Sequence, residues 1–296
     1  MNMDHIINDI LRLLASETRV SDLVDNYIRF LEEEVNPKQL NEYRVRLESN
    51  EHERGAKSEA VVYHFLKSKV EQIKVYETLN KGGVDFASQT DDSKFFVEVT
   101  HIDNDSVSEM SGLENELSSG TSARAYSKIG PILYGAVEHK ASQMAGYECP
   151  TILVIACSHE HAGSLLNTID TEWLLVGKNI IQMTGFREEG GFTSVNNVTT
   201  LENSCFLRYN AGWESAHRDI SAILLFDVSG ASAFVLGILH PHPKHEFLPE
   251  VLPSTPFVRL KKWPPTSDKL EIEWVKYENN ELVVIPIPEP ERLWYD

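Results

Sequence analysis

Cysteine is scarce in this chain. There are three in 296 residues, Cys149, Cys157 and Cys205, an odd number with no CxxC spacing. That argues against a disulfide framework or a zinc knuckle and leaves reduced, structural thiols, as expected of a cytoplasmic protein. Long apolar runs are missing as well. The longest, Ile152–Cys157, Ala222–Phe226 and Phe234–Leu239, fall far below the roughly 18–20 residues of a membrane helix and read as buried strands. Met1–Ala15 carries Asp4 and Asp9 and no basic n-region, so it does not read as a secretory signal. Basic residues are in deficit: 27 Lys and Arg stand against 45 Asp and Glu, a net charge of −18. Such a balance argues against a general electrostatic grip on nucleic acid, and leaves room for a basic partner or a local positive strip.

The deficit is uneven. Residues 1–53 carry −6, residues 54–146 only −3, and residues 147–296 −9. With 42% hydrophobic and 24% charged residues, the chain suits one large α/β domain or a core with appended elements. Apolar spacing predicts a helix over 3–15, a second helix capped by Ser21, and a third starting near Pro37 with Leu40, Tyr43 and Leu47 on its inner face. These form an acidic helical leader, 1–53, with no identifiable chemistry, suited to packing or to docking a second copy or another protein. A core over 54–160 follows: a helix over Ala56–Val70, strands over Ile73–Thr78, Val84–Ser88 and Lys94–Ile102, a polar and mobile loop over Asp103–Gly120, a helix over Ser122–Ala145, and a strand over Pro150–Cys157. The remainder, 161–296, is an α/β extension packed on the same domain. It has a helix near Glu172–Val176, a Gly-rich loop at Gly185–Gly191, strands at Ala222–Phe226 and Ala233–Leu239, and extended, proline-punctuated chain to its end. The fold class is α/β, with a mixed central sheet flanked by helices.

The chemistry gathers in three acids. Glu98 sits in the apolar strand Phe95-Phe96-Val97-Glu98-Val99-Thr100-His101, sharing a face with Thr100. A carboxylate buried there is costly unless paired or bound to a cation. Asp85 lies on the preceding short strand after Gly82-Gly83, so a hairpin brings it toward Glu98. Glu59 has Val62, Tyr63 and Leu66 at i+3, i+4 and i+7, which turns it toward the sheet. The bland assignments are a turn acid at Asp85 and a structural ion pair between Glu98 and Lys140.

An acid on an early helix, then Asp85, twelve intervening residues and Glu98-Val99-Thr100 resemble the PD-(D/E)XK, or restriction-endonuclease-like, nuclease core over residues 55–146. The departure is Thr100, which stands where that family has Lys. Some members take the lysine from a neighbouring helix. Here Lys140, with Ala136, Val137 and Met144 at i−4, i−3 and i+4, is that candidate, with Gln143 beside it and Lys128 as a weaker alternative. The resemblance implies Mg2+ or Mn2+ held by Asp85, Glu98 and Glu59, and Lys140 and Gln143 serving water and phosphate. It implies a phosphodiesterase cutting DNA or RNA, loosely in restriction or anti-phage defence. The alternative is an inactive nuclease-fold module for binding or assembly, which Thr100 and the acidic charge favour.

Other groupings carry less. His159-Glu160-His161 lacks HExxH spacing. His240, His242 and His245 read as loop or capping histidines. Cys157, Ser158 and His159 have no acid placed for a triad, and no GxSxG elbow is present. Trp263, Trp274 and Trp294 are expected to pack the C-terminal region.

Overall fold

The computed structural model describes residues 3–77, 83–112, 129–159, 166, 168–185, 192–228, 234–266, 270–286, 288 and 291–292. The leader is α1 (Met3–Glu34) and α2 (Pro37–Glu48). One continuous helix replaces the two expected over its first part. No Gly or Pro occurs from residue 3 to 34, so Ser21 stays a helical position and does not act as a cap. Pro37 then starts α2, with Asn36 accepting from the Lys38 and Gln39 amides.

The core runs α3 (Glu53–Lys67), β1 (Gln72–Val75), β2 (Phe86–Gln89), β3 (Lys94–Ile102), α4 (Asn104–Ser111), α5 (Ile129–Ala141) and β4 (Thr151–Cys157). Helix α4 corrects the expectation of a loop from Asp103 onward. Asp103 is an N-cap that accepts from the Ser106 amide at 2.8 Å, and Gly112 ends the helix with φ +72°. The rest of that expected loop, 113–120, lies outside the described residues, as do Lys128, Glu160, His161, Trp294 and 186–191 of the Gly-rich loop. Beyond β4 come α6 (Thr168–Val176), the hairpin β5 (Lys178–Gly185) and β6 (Phe192–Thr200), the short hairpin β7 (Leu207–Tyr209) and β8 (Trp213–Ser215), then β9 (Ala222–Asp227) and β10 (Phe234–Leu239). The end of the chain is β11 (Phe257–Leu260), β12 (Ile272–Glu278), β13 (Glu281–Ile285) and β14 (Glu291–Arg292). It is therefore sheet and not merely extended chain.

One mixed sheet has the order β1-β2-β3-β4-β9-β10-β11-β12-β13, with β14 on β10. Strands β1, β2 and β3 form an antiparallel meander. β3, β4 and β9 are mutually parallel neighbours. The parallel step from β3 to β4 needs a crossover, and α4 and α5 lie between them in sequence. Side chains alternate between the two sheet faces. Phe95 and Val97 join the core under α1, α2 and α3, with Tyr27, Leu31, Tyr43, Val62 and Leu66. Phe96 and Ile102 join the opposite core, with Leu133, Val137 and Met144 of and beyond α5.

The register creates an opening. β2 pairs with β3 only from Phe86↔Val97 to Gln89↔Lys94. β3 continues to Ile102 paired with β4 alone. Asp85 and Val84, expected inside the strand, precede it. Gly83 has φ +128°, and Val84 packs in the α5-side core while Phe86 packs in the other. The alternation therefore breaks at Asp85, which sits where β2 leaves β3.

Candidate functional site

The fork between β2 and β3 leaves the Val99 amide without a strand partner. The Asp85 carboxylate takes that place, accepting from Val99 N at 2.6 Å. This keeps the half-buried Asp85 pinned to the strand that carries Glu98. Desolvation in the fork pushes the Asp85 carboxyl well above its usual range, and the charges of Glu59 and Glu98 push it further, against the pull of the Val99 amide.

Glu98 is 2% exposed. It faces α5, and the Lys140 ammonium donates to its Oε1 at 2.6 Å. Burial raises the Glu98 carboxyl and Lys140 pulls it back part of the way. The second oxygen, Oε2, is buried and finds no hydrogen-bond partner among the described residues. Lys140 also donates to Gln143 Oε1 at 3.1 Å, and Gln143 donates from Nε2 to the Gly83 carbonyl at 2.9 Å. Gln143 lies in the turn after α5, and the helix ends at Ala141. The lysine, the glutamine and the loop before β2 are thus tied together around Glu98.

Glu59 sits on the other face, on α3, and is 8% exposed. Both its oxygens are taken by Arg46 of α2, NH1 on Oε1 and NH2 on Oε2, the latter at 2.9 Å. Burial raises the Glu59 carboxyl, and Arg46 offsets part of the rise. The leader, expected to carry no chemistry, therefore places a cation in the site. Arg46 had a signal in the sequence: it lies three residues after the buried Tyr43, a charge beside an apolar helical face, as Lys140 is.

Two clefts open here. One, of about 500 Å3, is lined by Tyr27, Tyr43, Arg46, Glu59, Glu77 and Asp85 among others. The second, of about 760 Å3, is lined by Arg46, Arg54, Glu59, Val99, Thr100 and His101 among others. Glu98 lines neither. Beside the second cleft, His101 Nδ1 lies 3.0 Å from Ser58 Oγ and Nε2 lies 3.3 Å from Ser158 Oγ. Burial lowers this imidazole to about 4, so it is neutral at pH 7.

Of the five expected residues, Glu98, Lys140 and Gln143 meet directly. Asp85 feels the charges of both Glu59 and Glu98, and Glu59 is held by Arg46. Among the described residues no three His, Cys, Asp or Glu side chains already converge as a metal-binding group. The donor chemistry suits a hard cation all the same: the available atoms are carboxylate oxygens, and Mg2+ commonly needs only one or two of these beside water and phosphate.

The remaining groupings are structural. Cys157 and Cys205 are buried, which pushes each thiol up to about 12; such thiols are unreactive at neutral pH. His240 is a satisfied buried imidazole, His242 stacks on Trp263 at 5.8 Å, and Trp274 donates to Glu172 at 2.7 Å. No helix among the described residues is long and apolar enough to cross a membrane. The chain matches no protein-family model, no curated protein and no solved structure.

Proposed function

We propose that this protein is a divalent-cation-dependent phosphodiesterase acting on nucleic acid, with a core of the restriction-endonuclease-like type. The observation that carries the reading is the meeting of Glu98 and Lys140 at 2.6 Å, with Glu98 Oε2 buried and without a hydrogen-bond partner among the described residues. Thr100 brings no positive charge to β3, and a lysine from the following helix stands at the acid instead. The α3-β1-β2-β3-α4-α5-β4 order and the antiparallel meander leading into a parallel neighbour support the same reading.

In this reading Asp85 and Glu98 would hold Mg2+ or Mn2+, and Glu59 would be an outer ligand. The cation, when bound, supplies Lewis acidity and charge neutralisation. Lys140 keeps a positive charge beside the reacting phosphate and stabilises the added negative charge of the transition state. Gln143, anchored on Gly83, fixes the direction of the ammonium. Asp85 is held to β3 by the Val99 amide, so the two carboxylates keep their separation without help from the loop before β2.

The test is Mg2+- and Mn2+-dependent cleavage of single- and double-stranded DNA and RNA by wild type, Glu98→Gln and Lys140→Ala. Loss of about 10²-fold or more is expected in both folded variants, the size typical of removing a charge-stabilising group. Lys140→Ala cleaving at the wild-type rate would remove the lysine from the mechanism. A second reading is an inactive binding or assembly module of the same fold, favoured by the occupation of both Glu59 oxygens by Arg46. Folded wild type that neither cuts nor binds a divalent cation decides for it.

A further inference from the structure

We propose that Arg46 is the resident counter-ion of the site: it holds Glu59 while no divalent cation is bound and releases it when one binds. The proposal rests on the phosphodiesterase reading and adds to it a role for the leader helices.

Three observations lead there. First, the ion pair is asymmetric in exposure. The Arg46 side chain is 39% exposed and the Glu59 side chain 10%. The guanidinium can swing into open space, while the carboxylate is fixed among the buried residues of α3. Second, Arg46, His52 and Glu59 line both clefts. The pair is therefore the partition between them, with Asp85 on one side and Thr100 on the other. When Arg46 leaves Glu59, the two clefts would become one groove running past Asp85 and Glu59. Third, Glu59 cannot stand alone. A buried carboxylate stripped of its partner is strongly disfavoured as a charge. A proton or a cation must then neutralise it, and among the described residues Arg46 is the side chain that ion-pairs with it.

A divalent ion held by Asp85 and Glu98, with Glu59 as its outer ligand, would meet Arg46 as a competitor in two ways. It is repelled by the guanidinium charge, and it needs the oxygens that the guanidinium occupies. Exchange resolves both. The freed Arg46 then overhangs the joined groove with a planar pair of donors matched to phosphate oxygens. A cation and an anionic strand are in this way admitted together.

The experiment measures Mn2+ binding by electron paramagnetic resonance of the free ion, with the whole 296-residue chain and no nucleic acid. Wild type, Arg46→Gln and Glu59→Gln are compared, with circular dichroism to establish folding. Arg46→Gln is expected to bind Mn2+ about tenfold tighter, because a competing unit charge a few ångströms away is gone. Glu59→Gln is expected to bind more weakly than wild type. Wild type that binds Mn2+ while Arg46→Gln binds no tighter overturns this proposal and leaves the phosphodiesterase reading standing. Absence of binding in both wild type and Arg46→Gln overturns the two together. A second measurement needs no variant to fold: the Arg46 Nε–H resonance of wild type is expected to shift on saturation with Mg2+. A resonance that stays in place at saturation overturns the proposal.

Discussion

Glu98 and Glu59 became visible in the sequence because each is a charge in otherwise apolar surroundings, and Asp85 because it stands on the short strand one hairpin before Glu98; these are local properties. Lys140 was visible for the same reason as Glu98 and Glu59. What local pattern does not carry is the partner. Glu59 turned toward the sheet as its helical neighbours dictate, yet its two oxygens meet Arg46 from a different helix. The Val99 amide that fixes Asp85 depends on where β2 stops pairing with β3, which no residue type announces. His240 shows the same limit. It was legible as a capping histidine, but its capping bonds are long-range on one side: Nε2 faces the Ala216 carbonyl at 2.8 Å, while Nδ1 accepts from the His242 amide at 2.9 Å. Both ring nitrogens are used only in the neutral form. Burial, with Arg218, His242 and His217 adding repulsion against the pull of the Ala216 carbonyl, lowers the group to about 4. Its folded pKa thus lies below the unfolded value of about 6.5, so the unfolded chain binds more protons between the two. The stability due to this group is present above pH 6.5 and is lost as pH falls toward 4. Thermal melts of wild type and His240→Asn across that range are expected to converge on acidification; a constant gap would contradict the assignment.

Elements with an uninterrupted pattern were legible almost to the residue. β3 spans Lys94–Ile102 as its alternation predicts, and α2 begins at Pro37. The C-terminal strands were obscured because prolines interrupt the chain between them, and pairing of β11 with β10 and β12 is decided by partners far away in sequence. A glycine marks that junction. Gly237 of β10 is paired with Phe257 of β11, and the Phe257 ring lies where a Cβ would stand. Gly237→Ala is therefore expected to cost about 1–3 kcal/mol by overpacking, read as a lower urea midpoint. An unchanged midpoint would mean that the ring does not rest on this glycine. The leader is joined to the core by comparable detail. Tyr43 of α2 donates to the Ala56 carbonyl at 2.9 Å, and Phe30 stacks on Tyr63 with centroids 4.3 Å apart. Tyr43→Phe is expected to lose about 1 kcal/mol in the same urea assay and, by loosening α2, to weaken the seat of Arg46 on Glu59.

Across the whole molecule, charge sets what kind of binding is open to it. A net −18 repels a polyanion over most of the surface, so contact must be confined to a short stretch where the sign is locally reversed. The protein alone does not supply one at the clefts, where Arg46 and Arg54 stand among more carboxylates, Glu42, Glu59, Glu77 and Asp85 included; a divalent cation at the acids would have to bring the positive charge. Binding of nucleic acid should then depend on the cation and involve few phosphates. Counterion release makes this measurable, since the slope of log K against log salt is about −0.7 to −0.9 per phosphate neutralised. For a phosphorothioate oligonucleotide followed by fluorescence anisotropy, we expect no association at micromolar protein in EDTA, and association in Mg2+ with a slope no steeper than about −3, corresponding to three or four phosphates. Electrostatics of this kind separates two molecules that would look alike in a simple binding assay. A slope near −6 or beyond, persisting in EDTA, would place the contact on a basic surface outside the groove and would leave the acids, the lysine and the leader arginine without a role in holding the strand.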